Sequence, residues 1–183
     1  MKKQLLGFVA CLALGAPVAT AQTAPHRDVA IAYEVAAAVN DYAEFTIFDD
    51  VNIQVENGIV TLRGKVTMPY KRTAIEERAS AVDGVREVSN QIGVLPVSSF
   101  DDKLRNQIAR SIYGNSTFWD YAIMRNPPIH IVVERGHVTL TGVVRSDVEK
   151  MLARSLANQF GAFSVTSKLK TDAEVTNTRA ESD

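Results

Sequence analysis

The chain has 183 residues and a formal charge of −1, with 20 Lys and Arg against 21 Asp and Glu, so it lacks the cationic excess of a nucleic-acid binder. Its one cysteine, Cys11, rules out an internal disulfide and a multi-cysteine metal site. This length supports one domain or two small ones.

The N-terminus reads as a secretory signal peptide: Met1-Lys2-Lys3, an apolar run from Leu5 to Val18, then Ala19-Thr20-Ala21. The run is too short to cross a bilayer comfortably. Cleavage is expected after Ala21, which removes residues 1–21 and exports the mature chain to a bacterial periplasm. Cys11 lies mid-run, too early for a lipoprotein acceptor, and leaves with the peptide.

From Asp28 the sequence turns helical. Asp28 can cap, and Ile31, Val35 and Val39 recur every four residues. Residues 40–50 connect to Val51, Ile53 and Val55. Asn57-Gly58 and then Val60, Leu62 and Val66 complete a hairpin with a type I′ turn. Pro69 suits a helix start, Ala74, Ile75, Ala79 and Val82 form its apolar stripe, and Asp83-Gly84 ends it. Val85, Val88, Ile92 and Val94 suggest a third strand, and Pro96 to Ser99 a linker.

The order then repeats. Asp101 or Asp102 opens a helix carrying Leu104, Ile108 and Ile112. Ile129, Ile131 and Val133 lead to a turn at Arg135-Gly136, and Val138, Leu140 and Val144 follow it. Ser146-Asp147 caps a helix with Val148, Met151, Leu152, Leu156 and Phe160, stopped at Gly161. Phe163, Val165, Ser167 and Leu169 alternate as the last strand. Residues 172–183 are polar and acidic, and a disordered tail is expected there.

The repetition is an internal duplication. VENGIVTLRGKV (55–66) and VERGHVTLTGVV (133–144) share eight of twelve positions at an offset of 78. The fold class is therefore α+β: two tandem αββαβ domains, 28–96 and 97–171, each a three-stranded mixed sheet with two helices on one face. The third strand runs parallel to the second; the pattern leaves open whether it lies beside the second or the first. Asn57, Gly58, Gly64, Gly84, Gly136, Gly142 and Gly161 are the structural turn positions.

Three segments carry a family resemblance: the Glu-Asn-Gly-x-Val-Thr-Leu-x-Gly hairpin, the helix ending Ala81-Val82-Asp83-Gly84-Val85, and Val88-Ser89-Asn90-Gln91-Ile92-Gly93-Val94. Together they resemble the BON domain family, in tandem as in bacterial periplasmic osmotically inducible proteins. The second copy departs at Ala162 and Ser167, which replace Val85 and Asn90, and needs a one-residue gap before Gly161. The resemblance implies a non-enzymatic module, without a cofactor, associated with phospholipid surfaces and envelope stress.

No catalytic set is visible. His26, His130 and His137 do not make a metal cage; His137 faces Glu134 across its hairpin and predicts an ion pair. Asp49-Asp50 and Glu76-Glu77 are adjacent, so their side chains diverge and read as solvated surface.

The halves differ in charge. Residues 28–96 hold 6 basic and 11 acidic side chains, a net of −5, and residues 97–171 hold 10 basic and 6 acidic, a net of +4. The second copy also carries a five-residue insertion: Ile112 to Ile131 spans 19 positions where Val39 to Ile53 spans 14. It brings Tyr113, Phe118, Trp119, Tyr121, Ile123, Met124 and Arg125. Aromatics beside cations suit an interfacial membrane contact. Lys103, Arg110, Phe118, Trp119, Tyr121, Met124 and Arg125 are therefore the candidate lipid-binding residues, with Phe118 and Trp119 inserting. The same rings suit a core role or an anchor for an envelope protein. The connector cluster Tyr42, Phe45, Ile47 and Phe48 is set among acids and is expected to pack on the second copy. The expected function is binding of an anionic phospholipid surface through the second domain, in support of envelope integrity; the alternative is a soluble protein-interaction or chaperone-like module.

Overall fold

The computed structural model describes residues 24–180. The expected signal peptide, with Cys11, lies outside the described residues. Domain 1 runs α1 (Ala24–Asn40), β1 (Asp50–Glu56), β2 (Ile59–Val66), α2 (Pro69–Ser80) and β3 (Glu87–Val94). Domain 2 runs α3 (Ser99–Tyr113), a 3-10 turn (Ser116–Phe118), α4 (Trp119–Ala122), β4 (Ile129–Glu134), β5 (His137–Val144), α5 (Asp147–Ala157), β6 (Ser164–Ser167) and β7 (Lys170–Thr171). A last helix, α6 (Asp172–Ala180), follows.

The third strand lies beside the second in both domains. Sheet orders are β1-β2-β3 and β4-β5-β6, with antiparallel hairpins and a parallel third strand. The helices cover one face, where the alternating residues Val60, Leu62 and Val66, or Val138, Leu140 and Val144, are fully or almost fully buried. Ile31, Val35 and Val39 of α1 and Ile75 and Ala79 of α2 close the first core. Leu104, Ile108 and Ile112 of α3 and Ala153 and Ala157 of α5 belong to the second. Where domain 1 has Ile75, domain 2 has the smaller Ala153, and Phe118 and Tyr121 of the insertion join that core.

Both turns place two consecutive residues at positive φ: Asn57 and Gly58 at 52° and 76°, Arg135 and Gly136 at 52° and 76°. Each is held by an aspartate from the first helix of its domain. Asp28 accepts from the Asn57 N–H (2.6 Å) and the Gly58 N–H (2.9 Å). Asp101 accepts from the Arg135 and Gly136 N–H groups, both at 2.8 Å. These aspartates are equivalent at an offset of 73, and the hairpins at 78; the difference is the five-residue insertion. The cap expected at Asp28 is thus corrected: α1 begins at Ala24, and Asp28 is a clamp inside its second turn. Ser98 caps α3, accepting from the Asp101 N–H, and Ser146 caps α5, accepting from the Glu149 N–H. Helix α2 ends at Ser80, four residues before Gly84.

The last strand of domain 2 departs from simple alternation. Asn90 in β3 donates to the Arg72 carbonyl (3.0 Å) and Glu76 (2.8 Å), tying the strand to α2. Its counterpart Ser167 is shorter, and its buried Oγ has no partner among the described residues. The strand breaks just after it: Lys168 N–H still donates to the Leu140 carbonyl (2.7 Å), and pairing with β5 resumes at β7. Leu169 is buried, whereas Phe163, expected on the same alternation, is exposed.

The disordered tail expected from residue 172 is also corrected, because α6 reaches Ala180. Thr171 and Glu174 form a reciprocal capping box: Thr171 N–H donates to Glu174 (2.7 Å), and Glu174 N–H donates to Thr171 Oγ1 (3.2 Å). Lys150 on α5 pairs with Glu174 at 3.0 Å.

The connector 41–49 joins the domains. Ile47 and Phe48 pack on the second core, while Tyr42 and Phe45 belong with the first. The Ile131 N–H donates to the Ile47 carbonyl (2.7 Å), and His130 Nδ1–H to the Asp49 carbonyl (2.6 Å). Thr141 donates to Asp50 (2.9 Å), Lys65 pairs with Glu134 (3.2 Å), and Asn126 donates to the Asn40 carbonyl. The domains therefore meet at the ends of edge strands β1 and β4.

Candidate functional site

The insertion is anchored rather than loose. Tyr113 donates to the Ile129 carbonyl (2.5 Å) and accepts from its N–H (3.2 Å), fixing the start of β4. Burial pushes the Tyr113 phenol above the ordinary tyrosine range. Phe118 and Tyr121 turn into the core, their ring centroids 6.0 Å apart. Tyr121 donates to the buried Glu149 (2.8 Å), which also accepts from Arg145 N–H and Nε, both at 2.9 Å. Burial, and then the bond to Glu149, raise the Tyr121 pKa. Arg145 lies over the Tyr121 ring at 4.9 Å and pairs with Asp120 at 3.3 Å.

With Phe118 and Tyr121 inside, their neighbours on and just after the short helix point out. Trp119 is 71% exposed, Ile123 81% and Met124 47%. Lys103 and Arg110 are exposed on α3; seven residues apart, they lie about 10 Å apart along one helix face. The structure thus splits the candidate set. Trp119, Met124, Lys103 and Arg110 are on the surface. Phe118 and Tyr121 are corrected to core residues, because turning them outward would empty the centre of domain 2. Arg125 is exposed but pairs with Asp41 of domain 1 at 3.7 Å.

A second feature is a cleft of about 680 Å³ where the helix-free faces of the two sheets meet. Asp50 and Lys65 line it from domain 1, and Glu134, Arg135, His137 and Lys168 from domain 2. The ion pair expected between His137 and Glu134 is absent: His137 bonds Ser164 Oγ (2.8 Å), and Glu134 turns to Lys65.

The sequence profile of the BON domain matches residues 27–96 and 101–173. The chain belongs to the BON domain family. Two solved structures of CdsD, a structural protein of the type III secretion system of Chlamydia trachomatis, are similar. The first, its C-terminal domain, is 14% identical, covers 81% of this chain and 68% of that one, and has a TM-score of 0.33. The second is 10% identical, covers 80% and 96%, and has a TM-score of 0.28. Scores this low carry no argument. No curated protein matches the chain.

Within this tandem BON protein, several working residues escaped the sequence reading. Asp49, expected at the solvated surface, is fully buried. It accepts from Lys71 Nζ (2.7 Å) and from the N–H and hydroxyl of both Thr46 and Thr67. Burial pushes its pKa up, but these five donors outweigh burial and hold it below the ordinary value. Its equivalent network in domain 2 is inverted: Glu149 stands at the position of Lys71, offset by 78. A Ser146-x-x-Glu149 capping signature could have flagged Glu149, and the offset of 73 could have paired Asp28 with Asp101. Among the described residues no group of three metal-ligating side chains comes together, and no helix is long and apolar enough to cross a membrane.

Proposed function

We propose that this BON protein is a non-enzymatic periplasmic adaptor that docks reversibly on anionic phospholipid through domain 2, supporting envelope integrity under osmotic stress. The observation that carries the reading is the outward set Trp119, Ile123 and Met124, held on a segment whose other face is buried. Apolar side chains presented from an anchored base need little ordering on contact, so insertion costs little conformational entropy. Lys103 and Arg110 stand along α3, in a domain whose residues 97–171 net +4. Each cation near an anionic surface contributes about 1 kcal/mol, and salt screens it. Domain 1 carries the opposite balance, a net of −5 over residues 28–96, and among the described residues its polar contacts with this segment are those of Arg125 and Asn126 with Asp41 and Asn40. The periplasmic address rests on the reading of residues 1–21.

Flotation on phosphatidylglycerol and phosphatidylcholine vesicles tests it. Recovery should require the anionic lipid, fall with salt, and drop several-fold in Trp119→Ala/Ile123→Ser while circular dichroism stays unchanged. Equal, salt-insensitive recovery on both vesicles would overturn the proposal. The rival reading, a protein-interaction module, is favoured by the charged cleft between the sheets. Lys65→Ala and Arg135→Ala would then abolish capture of an envelope partner and leave flotation intact.

A further inference from the structure

The two domains carry the same corner with different chemistry. In each, a helix aspartate holds the hairpin turn, and a glycine after the second helix reverses the chain, Gly84 with φ +89° and Gly161 with φ +75°. The flanking residues differ. Before the aspartate stands Arg27 in domain 1 and Phe100 in domain 2; two residues after the glycine stand Arg86 and Phe163. Both positions change together while clamp, turn and glycine persist.

In domain 2 carbon fills the corner. Phe100 and Phe163 stack with centroids 6.1 Å apart, and a Cβ on Gly136 would come within 2.7 Å of Phe163 and 3.3 Å of Phe100. In domain 1 the corner is a notch of about 240 Å³, walled by Arg27, Ile31 and Arg86 and floored by Gly58 and Gly84. Arg86 lies along Gly58 and directs one N–H to the Asn57 carbonyl at 3.4 Å. Arg27 Nε lies 3.7 Å from where a Cβ on Gly84 would sit. Among the described residues, neither guanidinium has a carboxylate within ion-pair distance. Asp28, the carboxylate of the corner, has both oxygens engaged by the turn amides.

We propose that this corner of domain 1 binds a soluble phosphate monoester, gripped by Arg27 and Arg86, and that domain 2 has lost the site. Two guanidinium forks without a carboxylate partner among the described residues, beside an open notch, suit a tetrahedral dianion, which each fork can meet with paired N–H donors. The net −5 of residues 28–96 opposes every anion, and most of all the many charges of an anionic membrane, so a small soluble ester is favoured over a lipid headgroup.

The test is a titration of the full chain with inorganic phosphate at constant ionic strength, followed through the amide resonances of Asn57, Gly58, Gly84 and Arg86. The wild type should show saturable shifts confined to this corner. Arg27→Gln and Arg86→Gln should each weaken binding about tenfold or more. Arg27→Phe/Arg86→Phe copies the packing of domain 2, keeps the fold, and should abolish the shifts. Matching shifts at the domain 2 corner, or saturable shifts that survive in the Phe double variant, would overturn the site. Perturbation of these amides by phosphatidylglycerol vesicles, and not by phosphate, would overturn the assignment to a soluble ester. None of the variants alters the domain 2 surface, so vesicle flotation reads out separately.

Discussion

Asp101→Ala should destabilise domain 2 by about 4 kcal/mol, against about 1–2 kcal/mol for Asp28→Ala in domain 1. The two aspartates make the same pair of bonds, so the difference comes from burial. Asp101 is fully buried, and so is the Gly136 amide, beneath Phe100 and Phe163. Truncation breaks the buried bond at Gly136 and the partly buried bond at Arg135, at about 1–3 kcal/mol each, where domain 1 has one partly buried and one exposed bond. Asp28 is half-buried and Asn57 is exposed, so water replaces one bond at little cost and partly replaces the other. Native-state hydrogen exchange reads both domains in one sample, through β2 amides for domain 1 and β5 amides for domain 2. Urea unfolding supplies the global value. Asp101→Asn should fall between wild type and alanine, because one carbonyl oxygen satisfies one amide and the NH₂ opposes the other. A cost for Asp28→Ala equal to or above that of Asp101→Ala would refute the reasoning.

Four further predictions concern two polar anchors and two glycines. The Asp49 carboxyl is held below its usual range, so its contribution is fully present above about pH 4 and is lost as pH falls through the lower folded value. Asp49→Asn should flatten the acid limb of a urea-midpoint profile and, by leaving Lys71 buried without its partner, cost about 3–5 kcal/mol at neutral pH; an unchanged acid limb would count against the network. Glu149→Ala removes the shared acceptor of Tyr121 and Arg145, and should cost about 2–4 kcal/mol and speed amide exchange across 116–122. Gly142→Ala would put a Cβ 1.8 Å from the Pro128 carbonyl oxygen and should cost roughly 3 kcal/mol or more in thermal unfolding. At Gly161 nothing lies within 4 Å, so Gly161→Ala should cost only the backbone term, about 1 kcal/mol.

The hairpins were legible because their code is local. Alternation sets which face is buried, and an x-Gly pair sets the turn, so Asn57-Gly58 and Arg135-Gly136 could be read directly and emerge at matching φ values. The start of the last helix is also legible in principle, because Thr171-x-x-Glu174 is a capping box, although the polarity of the tail points to disorder. Asp49 shows the opposite limit. A carboxylate beside another carboxylate looks solvated, and its burial is made tolerable largely by groups far along the chain, Lys71 at 22 positions and Thr67 at 18.

The insertion divides along the same line. Composition announced a ring-rich, cationic second domain, yet could not say which rings face out, because Phe118 and Trp119 are neighbours in a segment without a long period. Glu149 and Arg145 decide it by gripping Tyr121, which turns Phe118 inward and leaves Trp119 in solvent. From sequence alone came the duplication, the strand and helix order, the turn glycines and the charge split, all set by residues near one another in the chain. Strand order, the two aspartate clamps, the inter-domain cleft and the contrast between an arginine corner and a phenylalanine corner came only with tertiary structure. Each of these joins groups separated by tens of residues, and such contacts are chosen by which buried donors and acceptors can satisfy one another.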